Sequence, residues 1–210
     1  MGAGGGKSVT FEQTRESLGR VTAALDTAAR TAIETWIGLL CEWNARIDLT
    51  AARSGPELVD LMLADAMVLG PRIAHGARVV DVGTGAGAPG LAIALARPDV
   101  SVTLCEPLAK RTSFLRTVLG TVGRSDVRIE RARGEDLVGR EWDAAISRAT
   151  LAPADWARLG TKLAKDAWVL LAKEEPPAID GARAMDDVSY EWPETRAQRR
   201  AIRYERVTSR

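Results

Sequence analysis

From about Arg20 to Arg46 apolar residues recur at helical spacing. Val21, Ala24, Leu25, Ala28, Ala32, Ile33, Trp36, Ile37, Leu40 and Trp43 share one broad face. A second helix is predicted after Pro56, a residue suited to a first helical turn, with Leu58, Leu61, Met62, Asp65, Ala66 and Leu69 along it. These helices would form an N-terminal cap. Beyond it the pattern changes. Ala77 to Val82 reads as a buried strand, Gly83 to Gly90 as a glycine-rich turn, and Leu91 to Ala96 as a helix stopping before Pro98. Val100 to Cys105 is a strand, and Leu108 to Leu119 a helix ending near Gly120. Val127 to Glu130 and Trp142 to Ser147 are strands, Pro153 to Leu163 a helix, and Trp168 to Ala172 a strand. The alternation predicts an α/β, Rossmann-like fold: a mostly parallel, doubly wound sheet with helices on both faces. Glu174 to Asp187, rich in Pro, Gly and Asp, breaks the order before a final pair of strands, Val188 to Trp192 and Ile202 to Val207. The organisation expected is a flexible tail over 1–19 and a single domain over 20–210, comprising a helical cap (20–75) and the Rossmann-like core (76–210).

The chemistry concentrates in Asp81-Val82-Gly83-Thr84-Gly85-Ala86-Gly87-Ala88-Pro89-Gly90. A strand must turn sharply into a helix there while a ligand approaches the main chain, and glycine permits both. The N–H groups opening the following helix can face a carboxylate. Glu106 ends the next strand, about 20 residues on, where an acid meets the ribose hydroxyls of a bound nucleoside. Gly85, Gly87 and Gly90 also satisfy the dinucleotide spacing G-x-G-x-x-G, so the loop alone leaves two cofactors open. Three features favour S-adenosylmethionine and a class I methyltransferase fold. Asp81 stands two residues before the first glycine, where an acid would hold the ammonium side of that cofactor. The first strand starts only at Ala77, whereas dinucleotide folds begin close to theirs. Gly134-Glu135-Asp136 follows the third strand, where adenine would sit.

Composition narrows the picture. Of 210 residues, 46% are apolar and 27% charged, the balance of a soluble globular chain. No run of about 18 apolar residues predicts a membrane span, and no apolar stretch of a secretory signal follows Met1. Gly6-Lys7-Ser8 lacks the remainder of a phosphate loop and reads as tail. Cys41 and Cys105 sit in apolar stretches and read as reduced core thiols, and one histidine, His75, leaves no cluster for a metal. A cytoplasmic monomer without metal is expected. The net charge of +1 gives no global field for a polyanion. Basic residues are grouped locally, at Lys110-Arg111-Arg116, Arg124 to Arg133 and Arg196 to Arg206, and each group reads first as solvated surface. Trp36 and Trp43 read as packing between cap and sheet, and Asp65 as a surface or capping carboxylate.

Four stretches together carry a family resemblance: Trp43-Asn44 with Leu49-Thr50, the run Asp81 to Gly90, Lys110-Arg111 with Phe114-Leu115, and Ser147-Arg148-Ala149. In collinear order from Trp36 to Lys173, the chain resembles the bacterial 16S rRNA guanine-N7 methyltransferases, also called the glucose-inhibited division protein B family. The resemblance implies that Gly83 and Ala88 line S-adenosylmethionine, that Gly134 and Glu135 flank its adenine, and that Arg148 sits at the mouth of the site. It implies that Lys110, Arg111 and Lys173 face phosphates of ribosomal RNA, the partner being that RNA or the small ribosomal subunit. The cofactor set is thus Asp81, Gly83, Gly85, Gly87, Ala88, Glu106, Gly134, Glu135 and Arg148. Guanine N7 has a lone pair and no proton, so its methylation needs no general base. Arg148 is therefore assigned to orientation, the alternative being a buried structural pair with a carboxylate such as Asp81 or Glu106. The cofactor pocket matches the family better than the cap and rim do, with these departures: Ala88 stands where the family has an aromatic or Leu, Glu106 where it has Asp, Asp48 for Asn, Met62 for His, Ala66 for Ser, Thr150 for Phe and Glu174 for Gly. They leave two alternatives: a methyltransferase for another RNA, a small molecule or a protein, and a non-catalytic RNA-binding assembly factor.

Overall fold

The computed structural model describes residues 8–207. Helices α1 (Arg15–Val21) and α2 (Thr27–Asn44) open the chain. The expected continuous helix from Arg20 is interrupted because Asp26 caps α2, its side chain accepting from the Ala29 N–H at 2.8 Å. The expected tail over 1–19 is corrected as well. Residues 1–7 lie outside the described part, but Val9, Thr14, Ser17 and Leu18 are buried and α1 is already helical at Arg15.

The second cap helix has three segments: α3 (Gly55–Val59), a single π-helical turn (Asp60–Ala64) and α4 (Asp65–Leu69). Ser54 caps it, accepting from the Glu57 N–H at 3.3 Å. The core then alternates β1 (Arg78–Val82), α5 (Gly90–Ala96), β2 (Ser101–Cys105), α6 (Ala109–Val122), β3 (Arg128–Glu130), β4 (Trp142–Ser147), α7 (Pro153–Leu163) and β5 (Ala164–Leu171). Helix α6 runs past Gly120 and stops at Gly123, whose φ of 71° supplies the left-handed cap. The closing strands β6 (Ala182–Glu191) and β7 (Gln198–Arg206) are longer than expected and pair antiparallel.

The seven strands lie in the order β3-β2-β1-β4-β5-β7-β6, with β1 to β5 parallel and β7 antiparallel to β5. Strand order reverses between β1 and β4, so the crevice beyond their carboxyl ends is where such a sheet admits a ligand. Alternating side chains divide the core. Val79, Val102, Leu104, Ala144 and Ile146 face the cap, α5 and α6, in one cluster with Trp36, Ile37 and Leu40. Val80, Val82, Cys105 and Ala145 face α7, through Trp156, Leu159 and Leu163.

Candidate cofactor and acceptor site

The loop leaving β1 is fixed from several sides. The Gly83 and Thr84 N–H groups donate to the Cys105 carbonyl at 2.8 and 3.2 Å, binding the loop to the end of β2. Trp36 Nε1 donates to the Ala86 carbonyl at 3.0 Å, so the cap helix holds the loop directly. Gly83, Gly85 and Gly87 adopt φ of 71°, 60° and 114°, a region closed to most side chains, and the Ala88–Pro89 bond is cis. Ala88 is buried. Trp43 packs edge-on against Phe114 with ring centres 5.6 Å apart, so both cap tryptophans serve packing.

Asp81 is fully buried in β1. Its Oδ2 accepts from the Gly90 N–H at 2.8 Å, holding the start of α5. A Cβ on Gly90 would come within 2.5 Å of Asp81 Cβ, so this acid needs a glycine opposite it. Asp81 Oδ1 and Thr84 Oγ1 are buried with no hydrogen-bond partner. Burial pushes the Asp81 carboxyl up to about 6. Glu106, also buried, leans toward the loop: Oε2 accepts from the Gly85 N–H at 3.0 Å and Oε1 from the Leu108 N–H at 2.9 Å. The Arg111 guanidinium lies 3.7 Å from Glu106 Oε2. Gly134 opens a 3-10 turn, Gly134–Leu137, that packs against Val82 and Leu159, with Glu135 exposed beside it. A glycine cradle between two acids, with unpartnered Oδ1 and Oγ1 atoms, suits a ligand carrying an amino acid group at one end and a ribose at the other.

Two expectations change. Asp65 is not a surface carboxylate: it is 2% exposed and its Oδ1 accepts from Tyr190 Oη and Trp192 Nε1, both at 2.8 Å. Arg148 does form the alternative pair with a buried carboxylate, but with Asp65 rather than Asp81 or Glu106: its guanidinium donates to the Leu61 carbonyl and lies 3.3 Å from Asp65 Oδ2. Its side chain therefore spans from the end of β4 to the cap rather than standing free over the cofactor loop. Thr150 lies across Gly83, where an added Cβ would run into its hydroxyl, and donates to the Val82 carbonyl at 3.2 Å. Burial beside Asp65 pushes the Tyr190 phenol upward, keeping it an O–H donor. Asp60, one π turn earlier, accepts from the Glu194 and Thr195 N–H groups at 3.2 and 2.6 Å. Both carboxylates thus bind the cap to the β6–β7 hairpin. Tyr190 and Trp192, two residues apart, could have been placed on one strand face from sequence, but nothing there named Asp65 as their partner.

Beyond the ends of β4 and β5 lies a cavity of about 300 Å³, whose lining includes Asp65, Arg148, Leu151, Glu174, Trp192 and Arg199. The Arg199 guanidinium lies over the Trp192 ring, 3.9 Å from its centre. Lys110 and Lys173 are exposed. Lys110 lines a cleft between cap and α6 with Arg46 and Asp48. Much of the remaining basic surface is neutralised: Arg200 pairs with Asp187, Arg203 with Asp166 and Asp186, and Arg124 with Asp126. His75 is exposed near Asp99, away from the loop, and both cysteines are buried and free. Among the described residues no group of three His, Cys, Asp or Glu is placed to hold a metal ion, and no helix is long and apolar enough to cross a membrane.

The profile of the GidB family, described as rRNA small subunit methyltransferase G, matches residues 29–189. A protein named ribosomal RNA small subunit methyltransferase G from Anaeromyxobacter dehalogenans (strain 2CP-C) is 35% identical over 91% of this chain and 97% of its own length. One of the same name from Halorhodospira halophila is 39% identical over 72% of each chain. Among solved structures, a mutant of MtNAS in complex with S-adenosylmethionine shares the fold, with a TM-score of 0.56 at 16% identity, over 94% of this chain and 78% of that one. TrmN from Thermus thermophilus does so at 0.53 and 19%, over 72% of this chain and 48% of its own. The fold is that of the class I methyltransferases.

Proposed function

This chain belongs to the GidB family, rRNA small subunit methyltransferase G, and from that premise we propose that it transfers the methyl group of S-adenosylmethionine to N7 of a guanine in 16S ribosomal RNA, as a cytoplasmic monomer acting on the RNA or the small subunit. One observation carries the reading. The loop at the strand-order reversal, bent by glycines at positive φ, runs between buried Asp81 on one side and buried Glu106, held to the Gly85 N–H, on the other. S-adenosylmethionine supplies an electrophilic methyl group on a sulfonium.

The protein's part is to hold the reactants. Asp81 and Thr84 would receive the ammonium end, and Glu106 would exchange its loop N–H partners for ribose hydroxyls. Gly134 and Glu135 would border the adenine. Thr150 must swing off Gly83 for this. Guanine N7 attacks with its own lone pair, so no proton leaves that atom and no base is required. Aligning two bound reactants lowers the barrier by about 7–11 kcal/mol, enough to make positioning the main contribution. Arg148, held by Asp65, would form a wall of the acceptor side, and exposed Lys110 and Lys173 would meet RNA phosphates, with Arg111 between phosphate and Glu106.

The test is methyl transfer from tritiated S-adenosylmethionine to small ribosomal subunits from a strain lacking the gene, followed by mapping of the labelled base. Label on a guanine N7 of 16S RNA is expected. Cofactor binding without labelled RNA would redirect the substrate, and no calorimetric binding of the cofactor would remove the enzyme assignment.

A further inference from the structure

The cavity past β4 and β5 carries an exposed carboxylate at its rim. Glu174 lines it. Its Oε2 accepts from the Ala172 and Lys173 N–H groups at 2.9 and 3.0 Å, while Oε1 has no hydrogen-bond partner among the described residues. No ion pair ties Glu174 down among those residues, although Arg199 lines the same cavity. Main-chain N–H groups of Glu174 itself, Ala172 and Lys173 hold its carboxyl below the ordinary range, so it is charged at neutral pH. The same cavity is lined by the apolar Leu151 and by the Arg199–Trp192 stack, surfaces suited to the faces of a planar base. At about 300 Å³ the space is at the small end of ligand pockets, the size of one base rather than a longer group.

Building on the methyltransferase reading, we propose that this cavity takes the acceptor guanine and that Glu174 is the residue that reads it, accepting from the N1 proton and the 2-amino group. A carboxylate there selects chemically. Guanine alone among the RNA bases presents two adjacent donors on its pairing edge, while adenine offers an acceptor at the corresponding ring nitrogen. Glu174 follows β5, the cofactor loop follows β1, and β4 lies between them. A base lying over β4 with its pairing edge on Glu174 leaves the adjacent edge, which bears N7 beside O6, uncovered for the methyl group. Methylation makes the guanine a cation and its N1 proton more acidic. The contact therefore strengthens as the transition state forms, which raises turnover as well as affinity. Glu174 is a specificity and binding residue; no proton need leave the base.

The test pairs wild type with Glu174→Gln and Glu174→Asp. Each chain, with S-adenosylhomocysteine present, is titrated with guanosine and inosine 5′-monophosphate and followed by tryptophan fluorescence, since Trp156 and Trp192 line the cavity. Inosine lacks only the 2-amino group. Wild type should prefer the guanosine compound by about tenfold, the low end for one hydrogen bond to a charged group. Glu174→Gln should reduce that preference below about threefold with melting temperature and S-adenosylhomocysteine affinity unchanged, and Glu174→Asp should restore part of it. Equal preference in wild type and Glu174→Gln overturns the proposal, as does the absence of any guanosine binding to the wild type. S-adenosylhomocysteine binding and labelling of subunits report separately on the methyltransferase reading, so loss of discrimination control by Glu174 would leave that reading standing.

Discussion

Replacing Asp65 with alanine should unfold the protein far more readily than a surface change would. The carboxylate is 2% exposed and receives Tyr190 Oη and Trp192 Nε1 at 2.8 Å, with Arg148 at 3.3 Å. Each hydrogen bond to a charged acceptor contributes about 1.5–3 kcal/mol, but part is offset by the cost of drying the carboxylate. Breaking a buried pair by deleting one partner costs about 3–5 kcal/mol, and that is the loss expected here. For a chain of this length it corresponds to a fall of about 6–20 °C in melting temperature. Urea unfolding with a common m-value gives the measurement. Arg148→Ala alone should cost about 2–3 kcal/mol by leaving a buried charge partly unpaired, yet add less than about 1 kcal/mol in the Asp65→Ala background. A single-mutant loss below 1 kcal/mol, or strict additivity in the double mutant, would refute the coupling.

Asp81 is raised to about 6 against an ordinary value of 3.8, so its stabilising contribution is full below about pH 4 and is lost as pH rises through 6. Asp81→Asn should therefore gain on wild type by about 3 kcal/mol between pH 4 and 7 in paired urea melts, and parallel curves would contradict it. Glu106→Ala should weaken S-adenosylmethionine binding by about 10- to 150-fold in calorimetry, and unchanged affinity would mean the ribose lies elsewhere. Gly83→Ala places a Cβ at φ of 71° against Thr150 and should cost at least about 1–2 kcal/mol. Adding Thr150→Gly should recover part of the loss in a thermal melt, and no recovery would count against the clash.

The order of strands and helices was legible because each element announces itself locally. Trp142–Ser147 and Pro153–Leu163 have the bounds that periodicity and a helix-opening proline dictate. The glycine loop was legible too, since its spacing encodes backbone geometry rather than a partner. What escaped was long-range pairing. Asp65, on an apolar helix, looks like a stray surface acid until the hairpin over a hundred residues later supplies Tyr190 and Trp192. Arg148 stood correctly at the end of β4, but which acid it meets depends on how the cap leans, a property of the packed core. The helix break before Asp26 was missed because apolar spacing continues across it, and the cap signal is a single side-chain bond to Ala29.

The π-helical turn at Asp60–Ala64 has a consequence for register. An i→i+5 turn is wider than the ordinary one, so side chains five apart come back nearly into line. That is the separation of Asp60 and Asp65, and it lets two anchors reach the same hairpin from consecutive turns. Rewinding this turn as ordinary α-helix without removing a residue would place the two acids on different faces and swing Asp65 off toward other neighbours. The rewound cap would be straighter and the hairpin edge looser: a local irregularity here is what fastens the cap to the closing hairpin.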